Sequence, residues 1–498
     1  MADGGEGGGD ANLEKPLKNF EYVGQCYDVL LADPIDLNKG RTGVCAFSLT
    51  VFENIPDGTA SKPVGTGYQA DPGGAYDHRV LELSSVYDYK ASMSQEGSLN
   101  VSDPTGAAFS ASLSASFTHT RNDTEKNDSI VTYTSEKLTL WDLNILSGDK
   151  APTLSAELQD ALAALPTEVS ANSHDSFFSK FGTHYARRVV YGGRLTQRIS
   201  VGRRDYESFL EEGVNVSANV EATFDIFKAG GKIAGQDTRS QSFKTARSVS
   251  VENITYVGGT APQAQFDMWA MYVKDSPGPV SIDFEPLYGL LTPARFPTLV
   301  DVVKRNAALH QATDSYLSTN GHDCAHEALK SGDVIMLSAV VGDGNKCLRA
   351  EGTCTSVAMR ASPPAPDFQW VVVNVTDPSS TERLQTNTPI ALRNVASGAY
   401  LDAQSGSDDT YSAGDGLTAV NAKTPKADSA QWTAQLVSNQ DRSELVDGDY
   451  VQFRRRWLDA DGKDGYLLQD AHADAQMAEV FSFGRSGQKG TVWRIDRV

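Results

Sequence analysis

Long hydrophobic runs are missing from this 498-residue sequence, in which no stretch approaches the roughly 20 apolar residues of a membrane-spanning helix. If the chain enters a bilayer, it must refold into a closed β-barrel, because lipid satisfies no exposed backbone hydrogen-bonding groups. No secretory signal is visible, since residues 1–10 are rich in Gly, Asp and Glu and contain no apolar segment. That composition is typical of a disordered tail, which we expect over residues 1–16.

Basic residues are fewer than acidic ones: the chain has 44 Lys and Arg against 64 Asp and Glu, which gives a formal net charge of −20. A chain this acidic is a poor partner for nucleic acid, and anionic lipid would not attract it at long range. Any attachment to a membrane would then depend on a specific receptor. We expect no nucleic-acid partner.

Cysteine is scarce, and the five residues present cannot all form disulfides. Cys347 with Cys354, or Cys26 with Cys45, would each close a short loop, and the sequence leaves both pairings open. A His-Asp-Cys-Ala-His run at 322–326 has the spacing of a transition-metal site, but no second ligand pair accompanies it, so we expect no bound metal. Nucleophile-elbow, P-loop, dinucleotide-binding and zinc-protease motifs are absent, so an enzyme is the least expected class and we expect no cofactor.

Three regions differ in pattern along the chain. Alternating apolar and Ser/Thr positions predict strands over about 17–150, and mixed strand-like segments run from the signature described below to about residue 290. Periodic apolar residues predict helices at Thr153–Leu165, Ser173–Lys180 and Thr298–Tyr316. Residues 321–330 are typical of a linker, and the pattern changes after it.

Beyond residue 330 the sequence repeats. Triplets ending in Trp370, Trp432 and Trp493 recur every 61 or 62 residues. A short strand-like run precedes each triplet: Ile335–Leu337, Ile390–Leu392 and Tyr450–Phe453. Three copies of a short-stranded unit that close one core predict a β-trefoil, and the alternative is an irregular β-domain.

The most informative segment is 181–193, which reads Phe-Gly-Thr-His-Tyr-Ala-Arg-Arg-Val-Val-Tyr-Gly-Gly. A strand-forming run leads into paired glycines, which usually mark a bend or a close backbone approach. We expect His184 to be a buried, hydrogen-bonded core residue rather than a catalytic group or a metal ligand. A second Gly-Gly pair follows a strand-like run at 257–259.

This segment resembles the signature of the membrane-attack-complex/perforin (MACPF) family, which has an aromatic residue, Gly-Thr/Ser-His-aromatic, six residues and Gly-Gly. Phe181 is the only departure, since the family usually has Tyr or Trp there. The signature residues are Phe181, Gly182, Thr183, His184, Tyr185, Gly192 and Gly193. The resemblance implies a bent, twisted antiparallel sheet flanked by helical clusters over 17–320. Together with the all-β trefoil that the repeat predicts over 331–498, the expected fold class is α+β.

Family members insert two segments that are helical in the soluble form and become β-hairpins in the pore. Two stretches here carry apolar residues at every second position, as a transmembrane strand requires. They are Phe109, Ala111, Leu113, Ala115 and Phe117, and Val214, Val216, Ala218, Val220, Ala222, Phe224 and Ile226. Half-buried strands of an ordinary sheet would alternate in the same way. Their positions on either side of the signature, each beside a turn-like sequence (103–106 and 228–232), favour insertion.

The return arm of the second hairpin, 233–247, has no clean apolar face and contains Arg239 and Arg247. An arginine against lipid costs roughly 2–4 kcal/mol at mid-bilayer. Either both arginines face the lumen, or this hairpin inserts only in part.

The C-terminal module resembles ricin-B-type trefoils, in which an Asp soon after a strand binds sugar together with an aromatic residue. The best matches are Tyr400 with Asp402 and Trp457 with Asp459, although the third copy can also align through Tyr466-Leu467, which would exclude Asp459. The first copy has Arg349 in place of the Asp. A glycan, a lipid headgroup and a protein all remain possible ligands of this scaffold.

The sequence therefore predicts a pore-forming cytolysin that is monomeric in solution and is released or secreted as a soluble protein. It would bind a glycan or lipid receptor on a target membrane and assemble into a ring-shaped homo-oligomer. The alternative is a non-lytic MACPF-fold recognition or adhesion protein.

Overall fold

The structure is a computed structural model. It describes residues 13–71, 76–95, 99–228, 238–252, 254–259, 266–321, 328–340, 346–351, 354–359, 365–386, 388–403, 418–422, 424, 430–437, 443–455, 466–469, 478–484 and 492–498. Within these ranges no helix has the length and apolar character needed to cross a membrane.

The described residues form ten α-helices and 24 β-strands. The helices are α1 (Val86–Gln95), α2 (Pro104–Phe109), α3 (Ala115–Arg121), α4 (Ala156–Ala164), α5 (Ala171–Phe181), α6 (Arg203–Glu212), α7 (Val216–Lys228), α8 (Gln241–Thr245), α9 (Phe266–Asp275) and α10 (Val302–Asn320). The first twelve strands are β1 (Gln25–Tyr27), β2 (Arg41–Cys45), β3 (Phe52–Asn54), β4 (Ser61–Pro63), β5 (Thr66–Ala70), β6 (Tyr76–Leu83), β7 (Asn100–Val101), β8 (Ser129–Ile145), β9 (His184–Gly202), β10 (Ser250–Val251), β11 (Thr255–Val257) and β12 (Gly278–Pro286).

The remaining strands belong to the C-terminal region. They are β13 (Val334–Ala339), β14 (Lys346–Glu351), β15 (Cys354–Met359), β16 (Trp370–Asn374), β17 (Ile390–Asn394), β18 (Tyr400–Ala403), β19 (Thr418–Ala422), β20 (Trp432–Leu436), β21 (Tyr450–Arg455), β22 (Tyr466–Gln469), β23 (Ala478–Gly484) and β24 (Val492–Arg497).

The first sheet is built on two long antiparallel strands, β8 and β9, which pair from Ser129 opposite Gly202 to Asn144 opposite Arg188. β5 and β6 continue the sheet beyond β8, and β1, β10, β11 and β12 pair with β9 along its length. Nearly every residue of β8 and β9 is buried, because helices and loops cover both faces of the strands. The architecture is thus the predicted α+β arrangement, with a helix-flanked antiparallel sheet.

The three predicted helices are confirmed as α4, α5 and α10. α4 begins after Ser155, whose hydroxyl accepts a hydrogen bond from Leu158 N (3.4 Å), and its buried face carries Leu158 and Leu162. The prediction of strands throughout 17–150 is wrong over residues 86–126, which form α1, α2, α3 and a π-helical turn around the short strand β7.

The C-terminal strands form a separate all-β region with three-fold regularity. Six strands close a ring in the order β13, β16, β17, β20, β21 and β24, and β24 pairs back with β13. The other six pair as β14–β15, β18–β19 and β22–β23. The three tryptophans are fully buried, and each Nε1 donates to a leucine carbonyl: Trp370 to Leu348 (3.1 Å), Trp432 to Leu401 (3.3 Å) and Trp493 to Leu467 (3.0 Å). The sequence repeat is therefore a structural repeat.

Two predicted boundaries need correction. Residues 1–12 of the expected tail lie outside the described residues, but Pro16 forms a β-bridge with Ser61, so the ordered chain begins before residue 17. At the expected linker, Lys330 bridges to Arg383 and Leu329 is buried in the C-terminal core, so 328–330 belong to that region. The His-Asp-Cys-Ala-His run lies outside the described residues.

Neither of the two possible disulfides is formed. Cys26, Cys45 and Cys347 are free thiols. Burial raises the pKa of the Cys26 thiol, with a smaller contribution from the neighbouring Cys45, so this cysteine stays protonated and unreactive at neutral pH.

Candidate functional site

The signature begins where α5 ends. Gly182 has a φ of +71°, and a Cβ at this position would lie 2.2 Å from the backbone oxygen of Tyr27. Only glycine meets both conditions. Phe181 is buried and packs on Phe177 with ring centroids 5.0 Å apart, so its aromatic volume is used in the core.

His184 is fully buried, and its Nδ1 lies 2.9 Å from Thr183 Oγ1. Its Nε2 has no hydrogen-bond partner among the described residues and faces Gly106 of α2, where a Cβ would approach to 2.7 Å. Burial lowers the pKa of His184 to about 4, so the ring is neutral at pH 7. The structure therefore contains the buried core histidine that the sequence predicts, packed against α2 at the start of the first alternating stretch.

Gly192 and Gly193 lie inside β9, at a register irregularity opposite 139–141. A Cβ on Gly192 would lie 1.8 Å from Leu138 O, and one on Gly193 would lie 2.6 Å from the indole of Trp269. Gly258, from the second Gly-Gly pair, would meet Gly192 O at 2.2 Å. The strands and α9 therefore approach one another at this point as closely as backbone atoms allow.

Trp269 of α9 fills this contact. Its side chain is fully buried, and its Nε1 donates to Gly258 O at 3.1 Å. The indole packs in one apolar cluster with Leu138, Leu195 and Phe224. The sequence analysis missed this residue, and the signal that could have revealed it is the coincidence of two Gly-Gly pairs with an apolar helix. Trp269 therefore lies in direct contact with both Gly-Gly pairs.

The first segment, defined as residues 86–126, connects β6 to β8. The predicted turn at 103–106 is instead the start of α2, since Asp103 Oδ1 accepts from Thr105 N (3.0 Å) and Pro104 occupies the first helical position. α2 ends at Phe109, the backbone turns at 110–114, and Ser114 caps α3 by accepting from Phe117 N at 3.1 Å. The first alternating stretch is therefore helix, turn and helix.

Burial in the first segment does not follow the alternation. The intervening serines at 110, 112, 114 and 116 are all buried, whereas Leu113 is 45% exposed and Ala115 is exposed. Ser116 Oγ donates to Asp33 Oδ1 at 2.7 Å. Phe117 and Ala111 are buried and Phe109 is half-buried. The serines of the alternating stretch therefore face the core, together with only some of its apolar residues.

The second segment, defined as residues 203–249, contains α6, α7 and α8. Val216, Val220 and Phe224 are buried at helical spacing in α7, together with Asn219 and Ala222. Ala218 is exposed, and Val214 and Ile226 are half-buried. Residues 229–237, with the tip-like turn and the start of the return arm, lie outside the described residues. Both alternating stretches are thus helical, and the alternative of ordinary sheet strands is wrong for this structure.

The two segments contact opposite ends of the signature. The first reaches it through Gly106 against His184, and the second through Phe224 in the Trp269 cluster beside Gly193. On its outer side α7 is held by charges, with Lys228 Nζ 3.0 Å and His78 Nδ1 3.2 Å from Glu136 Oε2. The signature is therefore the structural junction of both segments.

A model of the MAC/Perforin domain matches residues 11–325, which is more than half of the chain. The chain belongs to the membrane-attack-complex/perforin family. Members of this family are pore-forming proteins that act on membranes and oligomerise. The assignment rests on the family model, the signature geometry and the predicted α+β fold.

Several solved structures are similar to this protein at low identity. GNIP1Aa from Chromobacterium piscinae is 16% identical with a TM-score of 0.45, over 95% of this chain and 92% of that one. A Caenorhabditis elegans protein of unknown function (12% identity, TM-score 0.27) and the SDF2-like protein from Arabidopsis thaliana (14%, 0.26) each match 34% of this chain, over 97% and 94% of their own lengths.

The C-terminal region of this MACPF protein contacts the first helix of each segment. On α6, Glu207 Oε1 accepts from Tyr450 OH at 2.8 Å and from Arg494 Nη1 at 3.3 Å. On α1, Tyr87 OH accepts from Arg383 Nη1 at 3.0 Å. The two groups of contacts differ in burial, since Glu207 and Arg494 are largely buried and the Arg383 side chain is 41% exposed. The second segment is thus bound more firmly to this region.

Two of the four predicted ligand residues lie in the described part of the C-terminal region. Tyr400 and Asp402 lie on β18, and Asp402 Oδ1 has no hydrogen bond within the described part of the chain. Trp457 and Asp459 lie outside the described residues. The Trp493–Leu467 bond favours the alignment through Tyr466-Leu467, in which Asp459 is not equivalent to Asp402. In the first copy Arg349 pairs with Asp367 at 2.6 Å.

Proposed function

We propose that this protein is a cytolysin whose C-terminal region, a β-trefoil over residues 331–498, binds a glycan or lipid on a target membrane. Bound monomers assemble into a ring, and each inserts two β-hairpins formed from the first and second segments. The observation that carries the proposal is that both segments have a strict alternation that their present helical fold does not use.

The unused alternation indicates a second conformation. In α7 successive residues turn by 100°, so apolar residues two apart fall on different sides of the helix, which leaves Ala218 exposed and buries Asn219. In a strand the same residues share one face. Selection for the helix alone does not require period 2, whereas a membrane hairpin with one face on lipid does.

The signature supplies a route between the two states. Gly192, Gly258 and Trp269 pack closely against β9, and Phe224 of the second segment belongs to the Trp269 cluster. If α9 moves away, β9 can straighten and Phe224 loses its partners at the same time. Release of the second segment and change of sheet curvature are then one event.

The receptor site is proposed on the second copy of the trefoil. Tyr400 offers an aromatic face, and the half-buried Asp402 offers a carboxylate as acceptor for a sugar hydroxyl. The first copy is unsuitable because its Arg349 is neutralised by Asp367. A protein that binds cells through this site without lysing them is the second candidate, and the polar return arm with Arg239 and Arg247 favours it.

Leakage separates the two candidates. We expect micromolar protein to release calcein from vesicles made of erythrocyte lipid extract, and to lyse erythrocytes. Binding without leakage in both assays would refute the cytolysin and leave the recognition protein. An array of glycans probed with the full chain and with Asp402→Asn should show binding that the substitution removes; equal binding by both places the receptor site elsewhere.

Insertion is tested with matched pairs of cysteine substitutions carrying an environment-sensitive dye. Ala218→Cys and Glu221→Cys are both exposed on α7, and Ala115→Cys and Thr118→Cys are both exposed on α3. The alternation predicts that the dye enters lipid at 218 and 115 and stays in water at 221 and 118. Unsubstituted protein, labelled in parallel, measures the contribution of native thiols. Equal signals within each pair would show that the segments do not form membrane hairpins.

A further inference from the structure

Three side chains of the described residues converge where the first segment packs on α10. Asp103, His310 and Asp314 each offer one ligand atom within 4.8 Å of the others. Asp103 precedes α2, and its Oδ1 is engaged by Thr105 N. His310 and Asp314 lie one turn apart on α10, with His310 Nε2 3.7 Å from Asp314 Oδ2.

Each carboxylate in this cluster keeps one oxygen without a hydrogen-bond partner among the described residues, although Asp103 is also hydrogen-bonded by Thr105 N and Tyr288. Asp103 is 5% exposed, yet its Oδ2 accepts no hydrogen bond from the described residues, and the buried Oδ1 of Asp314 accepts none either. Within the same ranges neither carboxylate forms an ion pair with Lys or Arg. Asp103 is therefore a buried carboxylate with one oxygen left without a partner, and it faces Asp314, whose side chain is 42% exposed, across a gap that a cation can bridge.

We propose that Asp103, His310 and Asp314 bind a divalent transition-metal ion, with Zn²⁺ as the best match. Zn²⁺ takes imidazole nitrogen and carboxylate oxygen together, whereas Ca²⁺ and Mg²⁺ prefer oxygen alone. Three protein ligands leave one position for water. The ring of His310 stacks on Tyr288 with centroids 4.1 Å apart, which fixes its orientation. His310 is 47% exposed, so an ion has a path from solvent.

The bound ion would join two elements that belong to different parts of the fold. Asp103 holds the first turn of α2, which starts the first inserting stretch, while α10 is the helix that closes the MACPF domain. An ion that bridges them would keep the first segment in its helical form. This consequence, unlike the binding itself, rests on the proposed function.

Binding is measured on the full chain after treatment with a chelator. We expect Co²⁺ to give visible d–d absorption that saturates at one ion per chain and that Zn²⁺ displaces, and Zn²⁺ to raise the melting temperature. Asp314→Asn and His310→Gln should remove both effects. The matched controls Asp301→Asn, at the start of the same helix, and His119→Gln, exposed on α3, should retain them.

The outcomes are distinct for the ion and for the pore. A wild-type protein that shows no saturable Co²⁺ or Zn²⁺ binding beyond that of His310→Gln overturns the site. Circular dichroism of each variant identifies a failure to fold. If His310→Gln fails to fold, the isosteric Asp314→Asn variant decides whether these side chains bind the ion. If leakage occurs, Zn²⁺ should slow it in wild type and not in Asp314→Asn; equal rates overturn the bridging role. If no leakage occurs at all, the proposed function fails. The metal titration still tests the binding site, because it does not depend on leakage.

Discussion

The first and second segments of this MACPF protein are both helical, yet they are anchored to different partners. The first is held by polar groups within its own domain, since Asp33 accepts from Ser116, and Lys90 Nζ donates to Ala108 O. The second has contacts within its domain too, through Phe224 and Lys228, but it is also held from outside, through the contacts of Glu207 with Tyr450 and Arg494 of the C-terminal region.

This difference indicates an order of release. A C-terminal region that shifts on binding its receptor would act first on the second segment, whose anchor it provides. The first segment would respond only when its own contacts with the domain open. The segments also meet opposite ends of the signature, so straightening of β9 links the two steps.

The largest effect is expected from the buried phenylalanine of each segment. Phe117→Ala and Phe224→Ala should each lower the free energy of unfolding by about 3–5 kcal/mol, because both rings are buried and their loss leaves a cavity. Native-state hydrogen exchange should localise the two losses to 115–126 and 216–228. Leu113→Ala, at an exposed position, is the control, with an effect within about 0.5 kcal/mol. A small effect at either ring would show that its segment depends on polar contacts alone.

Lowering the pH should change the local stability of the two segments differently. Burial lowers the pKa of His184 to about 4 from an ordinary value of 6.5. Between pH 6.5 and 4 His184 is therefore protonated in the unfolded state but not in the folded state. The free energy of unfolding falls by up to about 1.4 kcal/mol per pH unit as the pH drops through this range. Since His184 faces Gly106, exchange in the first segment should quicken over this window.

The second segment should respond in the opposite direction. The hydrogen bond to Glu136 raises the pKa of His78, so its stabilising charge is fully present below 6.5 and is lost as the pH rises through the folded pKa. Exchange in 216–228 should therefore not quicken between pH 6.5 and 5. His78→Gln tests this, since acid would then leave α7 without that support. Equal acid sensitivity in both segments would contradict the comparison.

The sequence predicted the signature, the α+β fold and the three-fold C-terminal repeat because these depend on local spacing. The helical state of the two segments was expected only from the family resemblance, because their interiors have strand periodicity. Their helix starts were present in the sequence, however, as Asp103-Pro104 and Ser114, whose side chains cap α2 and α3. Contacts such as Asp33 with Ser116 or Trp269 with Gly258 depend on the fold bringing distant residues together, and no local pattern encodes them.

A moderate effect is expected from the anchor of the second segment. Glu207→Gln keeps the size of the side chain but removes the charge opposite Arg494, which should cost about 1–3 kcal/mol at this largely buried position. Amide hydrogen exchange in 203–228 should become faster while exchange in 104–121 is unchanged. The protein concentration that causes half-maximal leakage should fall. Glu212→Gln, exposed on the same helix, is the matched control. Equal changes in both segments would show that the C-terminal region does not restrain the second segment selectively.

The smallest expected effect comes from one strained residue of the first segment. Ala111 has a φ of +62°, a left-handed conformation that costs a side chain about 1 kcal/mol, and its N–H is fixed to Val29 O at 2.8 Å. Ala111→Gly removes that strain in the helical state and weakens a strand in the inserted state. We therefore expect a slightly higher melting temperature and slower leakage, whereas Ala115→Gly, inside α3, should lower the melting temperature. If Ala111→Gly left the leakage rate unchanged, the first segment would not pass from this turn into a strand when the pore forms.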